Sequence, residues 1–175
     1  MDSELLSGLP PIETTFTRLL ILGSMPGQES LNQHKYYAHP RNAFWFIMAD
    51  LLKVESTLSY PERQKMLTEN QISLWDVLKN CVRPGSLDGD IVTISEVTNK
   101  LDDFYRRHPE LFAIAFNGRK ARHSFTRHFL QHNKKRWRNL TLIDLPSTSP
   151  AYATLHPAEK LLRWQKSLAP FLTPS

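Results

Sequence analysis

The side chains able to do chemistry crowd into one early stretch. A short turn, Gly23-Ser24-Met25-Pro26-Gly27, is followed by Asn32, His34, Tyr36, Tyr37, His39, Arg41 and Asn42. These are amides, imidazoles, phenols and a guanidinium, suited to hydrogen bonding and stacking. Gly23 and Gly27 allow backbone angles closed to other residues, and Pro26 offers no N–H. Three more segments carry small polar residues: the loop after Trp75-Asp76, Phe116-Asn117-Gly118, and Leu145-Pro146-Ser147-Thr148-Ser149-Pro150-Ala151. Other chemistries lack their residues. There is no dinucleotide glycine pattern, Walker sequence or G-x-S-x-G elbow, so neither a nucleotide cofactor nor a Ser–His–Asp hydrolase is indicated. Cys81 is alone, which excludes an internal disulfide, a four-Cys zinc site and a four-Cys iron–sulfur cluster. His128 and His132 are i,i+4 on a predicted helix, but His123 is poorly phased with them. They read as a solvated helix face, and no metal is expected.

The elements that must position these residues follow from hydropathy. Leu19–Leu22, Ile72–Val77, Leu111–Phe116 and Leu140–Leu145 are apolar runs short enough for strands buried on both faces. Helical spacing fills the intervals: Ala43–Lys53, Pro61–Asn70 with Ser59 as a cap, Val97–His108, Arg119–His132, and Pro157–Leu172 starting near Thr154 or His156. This alternation predicts an α/β fold with a central four-stranded parallel sheet and helices on both faces. The four polar segments then fall at the carboxyl ends of the strands, along one edge of the sheet, where open α/β sheets bind ligands. Lys79–Thr93 reads as an irregular surface loop or site rim, and Lys134-Lys135-Arg136-Trp137-Arg138 as a solvated loop before the last strand.

The 175 residues, 41% of them hydrophobic, are enough for one domain with a full core, expected over roughly residues 18 to 172. A formal charge of +5 modestly favours a polyanionic partner. No apolar run approaches membrane-spanning length, so no membrane partner is expected. The N-terminus lacks the basic-then-apolar pattern of a secretory signal, and the lone cysteine fits a reducing compartment. A monomer is expected.

Four motifs, in order, resemble those of the uracil-DNA glycosylase superfamily, in its hypoxanthine-DNA (deoxyinosine) glycosylase branch. Gly23-Ser24-Met25-Pro26-Gly27 resembles the superfamily's G-x-x-P-G first motif. The segment from Leu145 to Pro150 resembles its second motif with a Pro-Ser core. Tyr37-Ala38-His39-Pro40-Arg41-Asn42-Ala43-Phe44-Trp45 and Phe116-Asn117-Gly118-Arg119-Lys120 resemble two runs of the mismatch-specific relatives. The resemblance covers about Arg18 to Arg163. It implies a three-layer glycosylase fold, a DNA partner carrying deaminated bases, no cofactor, and hydrolysis of a glycosidic bond after base flipping. If the host is bacterial, the place of action would be the cytoplasm, at the nucleoid.

The resemblance also implies roles. Asn42 would be the catalytic Asn that orients water, and Asn117 would hydrogen-bond the base edge. Tyr37 would stack on the base, with Gly23, Ser24, Met25, Pro26, Gly27 and His39 around it. Ser147, Thr148 and Ser149 would bind phosphates beside the lesion. Tyr152 is the bulky candidate for a wedge, and Arg83 is a candidate for the DNA rim. Met25 stands where mismatch-specific relatives have a water-positioning Asn, which favours deoxyinosine over uracil. A uracil, mismatch or xanthine glycosylase and an inactive nucleic-acid binder are the rival readings. Plainer roles stay open beside each: a helix cap for Asn42, turns for Gly23, Gly27, Asn117-Gly118 and Ser147–Ser149, and a structural role for His39.

Overall fold

A computed structural model describes residues 4–172. In chain order the strands are β1 (Leu5–Ser7), β2 (Leu19–Gly23), β3 (Ile72–Asp76), β4 (Leu78–Val82), β5 (Val97–Thr98), β6 (Ala113–Asn117) and β7 (Thr141–Leu145). The α-helices are α1 (Gln28–Gln33), α2 (Phe44–Leu51), α3 (Tyr60–Glu69), α4 (Leu101–Arg107), α5 (Arg119–Phe125), α6 (Gln131–Trp137) and α7 (Pro157–Leu168). The central sheet has four parallel strands in the order β3-β2-β6-β7, as the apolar runs predict.

Alternation along β2 explains the layers. Leu19 and Ile21 face one core, with Phe44, Ile47 and Met48 of α2 and Trp164 and Leu168 of α7. Leu20 and Leu22 face the other, with Phe104 of α4 and Phe125 of α5. Successive strand side chains point to opposite faces, so a central strand covered on both sides must be apolar throughout. All five residues of β2 are buried.

Strand order places the site. From β2 the chain moves outward to β3, then crosses to the opposite side of β2 to form β6. The strand order therefore reverses around β2, and a crevice opens above its carboxyl end.

Several segments depart from the expected pattern. Lys79–Thr93 is not irregular throughout. β4 is the middle strand of a small antiparallel sheet, β1-β4-β5. Only Val77 separates β3 from β4, so one chain segment leaves the large sheet and enters the small one. Val97–Thr98 pairs in that sheet and does not begin α4. The 119–132 helix passes through a π turn at Thr126–Leu130 and continues as α6. The basic run 134–138 is mostly helix, with Trp137 stacked on Tyr105 at 5.2 Å and buried, because an indole gains more from the core than from solvent. His128 is not part of a solvated face either. It pairs with the buried carboxylate of Glu96 at 2.7 Å, beside Lys120. Among the described residues no group of His, Cys, Asp and Glu could hold a metal ion, and no helix is long and apolar enough to cross a membrane.

Candidate active site

A cleft of about 1260 Å³ opens at the carboxyl ends of β2, β3, β6 and β7. Its floor is the Gly23–Gly27 loop. That loop is held by the strand beside it: the Val77 N–H donates to the Gly23 carbonyl at 2.9 Å, and the Leu78 N–H to the Ser24 carbonyl at 3.0 Å.

Gly23 is required for room. An added Cβ would collide with Asp76 Oδ1 and lie 3.1 Å from Tyr37 Oη. Gly27 has neither constraint. It sits at φ −66° before α1, with nothing within 4 Å of the Cβ position. The expectation that both glycines serve special backbone angles is thus corrected: Gly23 serves close approach, and Gly27 shows no steric need. Met25 packs its side chain into the core with Val77, Leu78 and Cys81, which suits a thioether better than the cleft does.

Tyr37 adopts a left-handed φ of 52°, a strained conformation for an aromatic residue. Its ring stacks on Phe44 at 4.1 Å, so only the opposite face can receive a ligand. The hydroxyl is buried and has no hydrogen-bond partner among the described residues. Burial, then the nearby Asp76, raises its pKa strongly, while the adjoining Asn117 amide opposes this.

Asn42 reaches the cleft from the residues before α2. Its Oδ1 accepts the Phe44 N–H at 3.0 Å, but the N-cap of α2 is Ala43, so the helix-cap expectation for Asn42 is corrected to a bond from the residue before the cap to the first residue of the helix. An amide oxygen has two lone pairs, so this bond leaves one acceptor and the NH2 group for another partner. His39 lines the same wall, and its Nδ1 accepts the Arg41 N–H at 3.1 Å.

Asn117 is committed differently. Its Oδ1 accepts the Thr148 N–H at 2.9 Å and its Nδ2 donates to Thr148 Oγ1 at 2.9 Å. Thr148 is 1% exposed. A buried hydroxyl already bonded does not suit a phosphate contact, so the expected role of Thr148 at DNA is corrected to that of a clasp. Its carbonyl accepts the Ala43 N–H at 3.0 Å, tying the second motif to the start of α2. Ser147 and Ser149 are partly exposed and cap their own turn: the Ser149 N–H donates to Ser147 Oγ and the Ala151 N–H to Ser149 Oγ, each at 3.2 Å. Lys160, itself buried, donates to the Ser149 carbonyl at 2.7 Å and lies 5.6 Å from the Tyr152 ring. Tyr152 is exposed at the rim.

Arg83 is not at a solvent-facing rim. It is 5% exposed, and its guanidinium donates to the Pro26 carbonyl at 2.8 Å. Just past the end of β4, Arg83 is buried against the Gly23–Gly27 loop, where the nearby Asp88 offsets its charge. The exposed cations on the cleft wall are instead Arg41, Arg119, Arg163 and Lys166.

Two carboxyls at the cleft escaped the sequence reading. Asp76 ends β3 at 4% exposure, and its Oδ2 has no partner among the described residues. Burial, then the neighbouring Asp88, pushes its pKa up to about 8, with Arg83 pulling the other way. Asp88 accepts the Ser24 hydroxyl at 2.5 Å; burial raises its pKa, against the pull of Ser24, Arg83 and Lys120. The available signal was an acidic residue closing an apolar strand, where burial needs a reason.

The model for the Uracil DNA glycosylase superfamily matches residues 10–172. The hypoxanthine DNA glycosylase of Methanosarcina barkeri (strain Fusaro / DSM 804) is 36% identical over 115 residues, 65% of this chain and 72% of that protein. The hypoxanthine DNA glycosylase of Methanosarcina acetivorans is 37% identical over 115 residues with the same coverage. The solution NMR structure of a protein from Methanosarcina acetivorans, provisionally named a uracil DNA glycosylase, superimposes with a TM-score of 0.75 at 30% identity. The match covers 93% of this chain and 98% of that one. With the parallel sheet, the ordered motifs and the cleft they line, these likenesses establish that the chain belongs to the uracil DNA glycosylase superfamily, in its hypoxanthine DNA glycosylase branch.

Proposed function

We propose that the protein is a monofunctional DNA glycosylase that flips a deaminated base out of DNA and hydrolyses its glycosidic bond, with hypoxanthine in deoxyinosine as the main substrate. The observation that carries this reading is the convergence of Asn42, Tyr37 and the Gly23–Gly27 loop on one cleft. A base inside a duplex is out of reach, and extruding it costs on the order of a few kcal/mol. Stacking on Tyr37 returns about 1–3 kcal/mol. Bond cleavage leaves an oxocarbenium-like sugar and an electron-rich base. The remaining lone pair of Asn42 orients the water that attacks the sugar, and the backbone dipoles of the Gly23–Gly27 loop face developing charge. Arg41, Arg119, Arg163 and Lys166 suit DNA phosphates. Lys120, also at the cleft, is paired with Glu96 and is not a free amine for Schiff-base chemistry.

The test is base release from duplexes containing deoxyinosine, deoxyuridine, deoxyxanthosine or mismatched T. Hypoxanthine release in excess of the others is the expected result. Strong uracil release without hypoxanthine release would refute the substrate assignment. Met25 in place of an Asn favours one second reading, a DNA-binding relative without activity. Binding without release of any base would establish it.

A further inference from the structure

Buried polar atoms without partners are rare and ask for a reason. Three that fall in this category, Asp76 Oδ2, Tyr37 Oη and Arg83 Nε, belong to residues lining the cleft. Asp76 and Tyr37 both close on the Cα of Gly23, at the floor of the proposed base pocket. A buried carboxyl kept there with an oxygen that has no partner among the described residues suits a ligand that supplies one.

We propose that Asp76, in its protonated form, donates its proton to the departing purine, through the unpartnered Oδ2 and the N7 lone pair of the base. The inference rests on the glycosylase reading above. As the C1′–N9 bond breaks, its electron pair moves onto the base and the Asp76 proton passes to N7, so hypoxanthine leaves neutral. Water oriented by Asn42 adds to C1′. The proton lost from that water goes to solvent, and the Asp76 carboxylate regains one from solvent when the site opens.

The surroundings favour the acid form before reaction. Asp76 is buried, Asp88 repels a second negative charge, and the phenols of Tyr36 and Tyr37 face it uncharged. Among the described residues Arg83 alone favours the anion, yet it makes no hydrogen bond to Asp76, its donation going to Pro26. Asp88 is less suited to the role, because its carboxylate accepts the Ser24 hydroxyl. General acids of this kind contribute about 10²–10⁴-fold to rate.

The experiment is single-turnover release of hypoxanthine by the wild type and by D76N, over pH 6 to 10, with deoxyinosine and with 7-deazadeoxyinosine, whose N7 is replaced by C–H. Asn keeps a donor but cannot release a proton. The expected result is a loss of about 10²-fold or more in D76N on deoxyinosine. Wild-type release falls tenfold per pH unit above about pH 8, and this limb is missing in D76N. On the 7-deaza substrate the two proteins release base at the same rate. D76N within threefold of wild type on deoxyinosine, or equal D76N losses on both substrates, would overturn the proposal. If D76N fails to fold, a flat wild-type profile through pH 10 would overturn it. A wild type that releases no hypoxanthine at any pH refutes the glycosylase reading itself, which separates the two failures.

Discussion

Both polar ends of the Asn117 amide are bonded to a single residue, Thr148, so the end of β6 and the loop after β7 form one unit. That loop also holds the start of α2 through Ala43. Thr148→Val removes the hydroxyl but keeps the N–H bond. It leaves one Asn117 donor unpaired in a buried place, which costs about 1–3 kcal/mol. Urea unfolding should show that loss. DNA affinity measured at low temperature should change little, because Thr148 is too buried to touch a phosphate.

Asn42 combines a bond to the Phe44 N–H with the proposed water contact, and the two roles separate by substitution. Asn42→Ala removes both, lowering stability by about 1 kcal/mol through the lost hydrogen bond and slowing base release severely. Asn42→Ser keeps a side-chain oxygen for the Phe44 N–H, so its Tm should match wild type while release stays at least a hundredfold down. Thermal melts and single-turnover assays on the same preparations check this. Recovery of activity along with stability in Asn42→Ser would show that the bond to Phe44 alone matters.

Gly23→Ala places a methyl against Asp76 Oδ1 and Tyr37 Oη. The neighbours are a strand end and a strained, stacked tyrosine, so neither yields easily. Overpacking of this sort costs about 1–3 kcal/mol. Gly27→Ala meets open space and should be neutral in stability. Comparing the two variants by urea unfolding distinguishes a need for room from a need for glycine angles.

Asp76 links stability to pH. Its folded pKa, near 8, lies above its unfolded value of 3.8, so the folded state holds a proton that the unfolded chain releases. The contribution is fully present below the unfolded value, declines as pH rises from about 4 to about 8, and is lost above that. D76N removes the dependence. Its Tm should exceed wild type by a few degrees at pH 8.5 and the gap should close toward pH 4, as differential scanning calorimetry would show. A constant gap across that range would remove Asp76 as the source.

The exposed cations make a graded prediction. Arg119→Ala and Arg163→Ala should each weaken duplex binding regardless of lesion, and each should lower the salt slope by about 1 if it meets one phosphate. Arg83→Ala should behave otherwise. It withdraws a buried donor from Pro26 and leaves Asp88 less compensated, so it should unfold more readily without a matching change in salt slope. Affinity titrations at several salt concentrations, paired with melts, test both.

From residue order alone came the parallel sheet, its helices and the edge where polar segments gather, because each depends on short-range periodicity. Leu19–Leu22 is uniformly apolar since a central strand meets two cores, and that demand is written locally. The small sheet through β4 was hidden: Leu78–Val82 has a mixed burial pattern, and its pairing partners lie far off in the chain. Side-chain partners were hidden for the same reason. Nothing near Arg83 says that its guanidinium is buried against the Pro26 carbonyl. Nothing near Asn117 says that its amide is taken by a residue 31 positions later. Asp76 was visible as a carboxyl at a strand end, but only the packing of Gly23, Tyr37 and Asp88 around it sets its charge. Desolvation and repulsion depend on neighbours in space, and chain order does not name them.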